Sequence, residues 1–287
     1  MKRLLFLLLI FTGVVACNSR KSSPKIDDKV YRIFADSLET AIKTGDVDFL
    51  KSHFDKNFLI DRICDSLDIS SRKKKQNDYL FESYIDVEMD AFSAISGYGE
   101  YGLLRMLKND DGKKALFRLR TPEGGINYHV FSLGSMGGRV GIRDVERFAT
   151  GESCYENVAK NMQYFADDLP ENIRAKFGCG DQAKAIDGYN AENKYEDAHN
   201  TYKYLSAECR NAKPMIISYL KTCTADSSAE LAGTADDALR SHPKDPIIAL
   251  NLIDCYYALE RYDAILKCIS IVDSTVQDPQ LDYIRAN

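Results

Sequence analysis

The chain has no tryptophan, so any aromatic surface has to be built from its 17 tyrosines and 13 phenylalanines. It has no basic surplus either. Lys and Arg number 38 against 43 Asp and Glu, a formal net charge of −5. That balance argues against nucleic acid as a partner, because affinity there comes largely from cations that neutralise phosphates. None of the eight cysteines falls in a Cys-x-x-Cys pair or a Cys/His zinc spacing, so the sequence offers no grounds for a metal site or a bound cofactor. No catalytic constellation stands out. Beyond the N-terminus no stretch is apolar enough to cross a bilayer, which takes roughly 20 apolar residues.

What is present begins at the first residue. Met1-Lys2-Arg3 places two positive charges ahead of an apolar run from Leu4 to Val15, the charge-then-hydrophobe order of a secretory signal, and too short to span a membrane. The run ends in Val14-Val15-Ala16-Cys17, which resembles the lipobox of bacterial lipoproteins. The resemblance implies a signal peptide over residues 1–16, cleavage after Ala16, and acyl chains on Cys17 that hold the protein on a lipid bilayer. At about 0.8 kcal/mol per buried methylene, several chains give stable anchoring where one gives reversible binding. Residues 17–26 then read as a lipidated, basic tether. Asn18, rather than Asp, follows the cysteine, which for this family implies the outer membrane of the cell envelope. Loss of Lys2 and Arg3 with the signal takes the net charge from −5 to −7.

Beyond Cys17 there are Cys64, Cys154, Cys179, Cys209, Cys223, Cys255 and Cys268, an odd number that cannot all pair within one chain. Most are expected to be buried small hydrophobes. An exported location permits a disulfide, with Cys154–Cys179 and Cys223–Cys255 as the candidate pairs.

About 270 mature residues exceed what one core usually serves. The pattern changes near residue 150, from helices followed by strands to helices alone, which predicts an α+β domain over 27–150 and an all-α part after it. In the first, Val30, Ile33, Phe34, Leu38 and Ile42 recur at helical spacing up to the stop at Gly45, and Asp46 caps a second helix. Phe58 to Leu67 is a third, and Asn77 to Ile95 a longer one with Leu80, Tyr84, Val87, Ala91 and Phe92 on its apolar side. Four strands are predicted over 101–108, 114–120, 126–133 and 140–148, joined by Asn/Asp/Gly and Pro/Gly turns into an antiparallel meander. Helices ahead of such a meander resemble the NTF2-like and cystatin-like folds. Members of that family often hold a pocket between helix and sheet, and here the resemblance implies Tyr128, His129 and Asp144 as the candidate pocket residues. Successive strand residues point to opposite faces, so Tyr128 and His129 cannot share a pocket in a regular strand.

Residues 151–180 read as a helical connector, with Tyr155 to Lys176 helical and Pro170 opening its second part. From 181 to 287 there is an internal repeat. Pro214, Pro246 and Pro279 each open an apolar helical stretch, 32 and 33 residues apart, and Cys223 falls on Cys255 when the first two are aligned. Proline costs nothing in a first helical turn, where its missing N–H has no partner to lose. Tyr195-Glu196-Asp197-Ala198 reads as the returning half of an earlier unit. The spacing, the small residues of the returning helices and the boundary prolines resemble degenerate tetratricopeptide (TPR-like) repeats. Stacked repeats of this kind present a groove to a peptide or partner protein, with Tyr202, Tyr204, Tyr219, Tyr256 and Tyr257 as candidate groove residues. The sequence therefore points to a membrane-anchored, non-enzymatic adaptor with a protein or peptide partner. The alternative is a small-ligand or enzymatic pocket in the α+β domain.

Overall fold

The computed structural model describes residues 26–109, 112–162, 171–226 and 229–286. Cys17, the run before it and the tether through residue 25 lie outside the described residues, as does Pro170.

Short polar residues start the first helices. Asp27 accepts from the Lys29 amide at the head of α1 (Asp28–Thr44), and Gly45, at φ 68°, ends it. Asp46 and Asp55 cap α2 (Val47–His53) and α3 (Lys56–Ser66) through the amides of Phe49 and Phe58. The basic run at 72–75 lies in α4 (Ser71–Gln76), where Lys74 pairs with Asp61. Next comes α5 (Asp78–Ser93), extended by a 3₁₀ turn over Ala94–Gly97. The buried stripe of α1 is Tyr31, Ala35, Leu38, Ala41 and Ile42, and that of α5 is Phe81, Ile85, Met89 and Phe92. Val30, Ile33 and Val87, expected inside, are 46%, 55% and 60% exposed. Both helices carry more apolar residues than one face holds, and the sheet selects the face.

That sheet is antiparallel and consecutive: β1 (Glu100–Asn109), β2 (Gly112–Arg120), β3 (Ile126–Met136), β4 (Arg139–Arg147) and the two-residue β5 (Glu152–Ser153). The last is an addition to the four strands read from sequence; at two residues it is too short for any alternation to register. Irregular steps in pairing fall between Leu103 and Arg105 and between Ser132 and Leu133.

Both faces of the sheet are covered. Against one pack α1, α2, α3, α5 and α6 (Cys154–Met162), in a core containing Leu38, Ile63, Phe81, Phe92, Phe117, Phe131 and Val158. Against the other pack the later helices, whose core joins Leu116, Tyr128, Val130 and Phe148 of the sheet region to Ile216, Tyr219, Leu220, Ile248 and Leu252. Tyr128 to Phe131 are therefore buried without alternation, as expected of a strand covered on both sides. One apolar core thus runs through the position, near residue 150, where the sequence pattern divides.

The later helices are α7 (Glu171–Ala191), α8 (Tyr195–Lys203), the short α9 (Ala207–Arg210), α10 (Lys213–Asp226), α11 (Ala229–Ser241), α12 (Pro246–Ala258), α13 (Tyr262–Val276) and α14 (Gln280–Ala286), with α7 packed on α8 and α10, α10 on α11 and α12, and α12 on α13. Asp245 caps α12 through the amides of Ile247 and Ile248, with Pro246 in the first turn. Because α7 continues to Ala191, the division expected at residue 181 falls inside a helix.

The disulfide differs from both expected pairs. Cys179 of α7 is bonded to Cys209 of α9, whereas Cys64, Cys154, Cys223, Cys255 and Cys268 are buried and outside any disulfide. Cys154 sits in the core on the far face of the sheet, and Cys223 and Cys255 are core residues of facing helices. Thr224 Oγ1 lies 3.2 Å from Cys255 Sγ. Burial pushes the Cys255 and Cys268 thiols up, to about 11 and about 12, which leaves them unreactive at neutral pH.

Candidate functional site

The residues expected to line a pocket between helix and sheet are separated by the pleat. His129 faces α5 and is 3% exposed, with Phe92 edge-on to its ring at 5.3 Å. Its tautomer follows from its neighbours. Asn127 Oδ1 accepts from the amides of Tyr128 and Ala149, so Asn127 Nδ2 is the atom 3.1 Å from His129 Nε2 and must donate to it. The proton then sits on Nδ1, which donates to the Tyr101 hydroxyl oxygen at 3.2 Å. A second proton would set two donors against each other beside Arg147. Burial, with that cation, pushes the imidazole down to about 3. His129 is thus held neutral, with both ring nitrogens engaged.

Tyr128, fully buried, points to the other face and donates to Asp278 at 2.9 Å. Asp144 accepts from the amides of Val145 and Tyr155 and pairs with Arg62 at 3.1 Å. Burial raises its carboxyl, and the Tyr155 amide, Arg62 and the Val145 amide act against that rise. The space between α5 and the sheet is filled by Phe92, Tyr101, Phe117, His129 and Phe131, each 3% exposed or less. The three candidates are parts of the frame, and they do not converge.

The five tyrosines also divide. Tyr219 and Tyr256 are fully buried, and Tyr256 donates to Asp236 at 3.0 Å. Tyr204 and Tyr257 are 81% and 69% exposed. Tyr202 borders a concavity. Its ring lies parallel to that of Tyr219, centroids 3.5 Å apart, and the Tyr219 hydroxyl is 2.8 Å from His199 Nδ1.

That concavity is a groove of about 360 Å³ between the α8–α9 region and α10–α11, bordered by Tyr202, Arg210, Asn211, Thr234, Asp237 and Ser241. Around the backed aromatic ring it sets a guanidinium, an amide, two hydroxyls and a carboxylate. Sequence reasoning reached Tyr202 and missed the others, which are polar and come from two further segments, α9 with its C-cap and α11.

A second cavity, about 330 Å³, lies where the sheet edge meets α6, α7 and α10, and includes Glu146, Glu152, Lys160, Glu208, Lys213 and Pro214 in its walls. Lys160 is 5% exposed and pairs with Glu152 at 2.9 Å; Lys213 pairs with Asp245 at 2.9 Å. Burial raises the Glu146 carboxyl, against the pull of Lys213 and Lys114. No cluster of three or more His, Cys, Asp or Glu suited to a metal ion occurs among the described residues.

The chain matches no protein-family model, no curated protein and no solved structure.

Proposed function

We propose that this is an exported, lipid-anchored protein of the bacterial cell envelope whose TPR-like helical half holds a segment of a partner protein. The groove beside Tyr202 carries the reading. A rigid ring flanked by donors and acceptors of both charges suits a peptide backbone and its side chains better than a single small reactant. The lipobox-like Val14-Val15-Ala16-Cys17 supports the anchor, and so does the Cys179–Cys209 bond, since such bonds persist mainly in oxidising, extracytoplasmic compartments. The alternative, an NTF2-like pocket between helix and sheet, has its interlayer space occupied by side chains.

Two experiments test the two parts. Palmitate labels the wild type and not Cys17→Ser; equal labelling of both overturns the anchor. Crosslinking in envelope fractions captures a partner with the wild type and with Tyr257→Ser, and loses it with Arg210→Glu or Asp237→Lys. Equal capture by all four overturns the groove.

A further inference from the structure

The four-residue helix α9 stands between the two cavities. Ala207, Arg210 and Asn211 border the groove, and Glu208, Asn211 and Ala212 border the second cavity. Yet this wall is lightly held. None of its helical residues is buried. The backbone hydrogen bonds it donates stay within the segment, Arg210 to Ser206, Asn211 to Ala207 and Ala212 to Cys209, and the Ala212 carbonyl accepts from Ile216 of α10. A single turn of helix has no stability of its own, since helices under roughly 12 residues are marginal even in favourable sequences. Its flanks, Leu205 and Ala212, pack against the small cluster of Ala183, Ile186, Ala198 and Met215. Between the flanks the covalent tie is the bond from Cys209, half-exposed, to Cys179, 2% exposed on α7.

We propose that the Cys179–Cys209 disulfide is a redox-sensitive clasp, and that it, rather than packing, fixes the wall between groove and cavity. Neither cysteine belongs to the core that joins α10 to α13 with the sheet, so opening the bond frees the wall without dissolving the fold. The chemistry needs a dithiol reductant. One of its thiolates attacks Sγ of Cys209, the more exposed of the two residues, and Cys179 leaves as a thiolate. The second thiol of the reductant then displaces Cys209 from the mixed disulfide. Two electrons pass to the protein, the reductant's two protons end on Cys179 and Cys209, and the reductant leaves as its own disulfide. The width of the groove then follows the thiol–disulfide state. This consequence rests on the groove being the binding surface; the mobility of the wall does not.

Hydrogen exchange on the full mature chain tests it without any partner. Three samples are compared: oxidised wild type, wild type in dithiothreitol, and the Cys179→Ser/Cys209→Ser double variant. Exchange over residues 204–212 is expected to accelerate on the order of 10-fold or more in the last two, with α10, α12 and α13 as protected as before. Unchanged exchange over 204–212 overturns the proposal, because the wall is then held by packing. Loss of protection across α10 to α13 in the reduced wild type also overturns it, because the bond is then a staple of the whole fold. The reduced wild type decides the matter if the double variant does not fold. A groove that captures no partner leaves the exchange result standing, so the two readings fail separately.

Discussion

The Tyr128 hydroxyl donates a 2.9 Å hydrogen bond to Oδ2 of Asp278, while Arg118 Nη1 lies 2.6 Å from the other oxygen of the same carboxylate. Residues 150 positions apart in the chain are joined, and the end of the last full helix pair is latched to the sheet. Asp278 also accepts from the Gln280 amide at the head of α14, and Arg105 reaches the neighbouring Thr275 carbonyl. The Asp278 side chain is fully buried and that of Arg118 partly exposed, so the carboxylate depends on its protein partners.

Removing that carboxylate is expected to cost more than removing either donor. Asp278→Ala leaves Arg118 and Tyr128 facing each other without an acceptor and should destabilise the protein by about 3 kcal/mol. Tyr128→Phe deletes one neutral donor and should cost about 1 kcal/mol. Urea denaturation of both variants checks the order; a Tyr128→Phe loss as large as that of Asp278→Ala would contradict the latch.

His129 makes stability depend on pH in a defined direction. Its folded value, about 3, lies below the ordinary 6.5, so between these values the unfolded chain takes up a proton that the folded one refuses. The contribution is complete above pH 6.5 and is lost as pH falls toward 3, on the order of 2 kcal/mol between pH 7 and pH 5. The Glu88 carboxyl, raised by burial, acts in the opposite direction: its folded form gains a proton before the unfolded one, which favours folding as pH falls. His129→Gln removes only the first effect. Denaturation midpoints at the two pH values should therefore change less in the variant than in the wild type.

Gly151 and Gly188 should respond oppositely to alanine. Gly151, at φ 67°, lies where the β4–β5 connection meets α10, and a Cβ there would sit 2.6 Å from Ile217 Cδ1 and 3.0 Å from the Lys213 side chain. Steric overlap and a left-handed backbone together should cost about 1–3 kcal/mol. Gly188 is inside α7, where an added methyl meets nothing within 4 Å, so Gly188→Ala should stabilise by about 0.5–1 kcal/mol. Thermal unfolding of the two variants gives the comparison.

Burial sorts the tyrosines by the same measurement. Tyr256→Ala empties a fully buried site and removes one of the hydrogen bonds to Asp236, and should cost about 3–5 kcal/mol. Tyr204→Ser and Tyr257→Ser lie on exposed surface and should stay within about 0.5 kcal/mol of the wild type. A large loss at Tyr257 would place it in contacts that the monomer does not make.

Much of this architecture is local and therefore legible in sequence. The cap at Asp46, the stop at Gly45 and the prolines at helix starts act over three or four residues, so the segment alone carries the signal. The helix face is a different matter. Val30, Ile33 and Val87 read as apolar, and so do Tyr31, Phe81 and Ile85; which set turns inward depends on a sheet formed later in the chain. The groove was hardest to foresee, because Arg210, Thr234 and Asp237 are ordinary surface residues until α9 and α11 bring them to one rim beside Tyr202.

By itself, then, the sequence determined the order of helices, then an antiparallel sheet, then helices, that Tyr128 and His129 face apart, and the lipobox-like Cys17 on which the proposed anchor rests. Only the tertiary structure decided that helices cover both faces of the sheet, that Cys179 meets Cys209, and that Asp278 closes on Tyr128. The reason is range. Caps, turns and pleat alternation are set by covalent geometry within a few residues, whereas these pairings join side chains 30 and 150 positions apart, and the core that selects them exists only when all the layers are assembled.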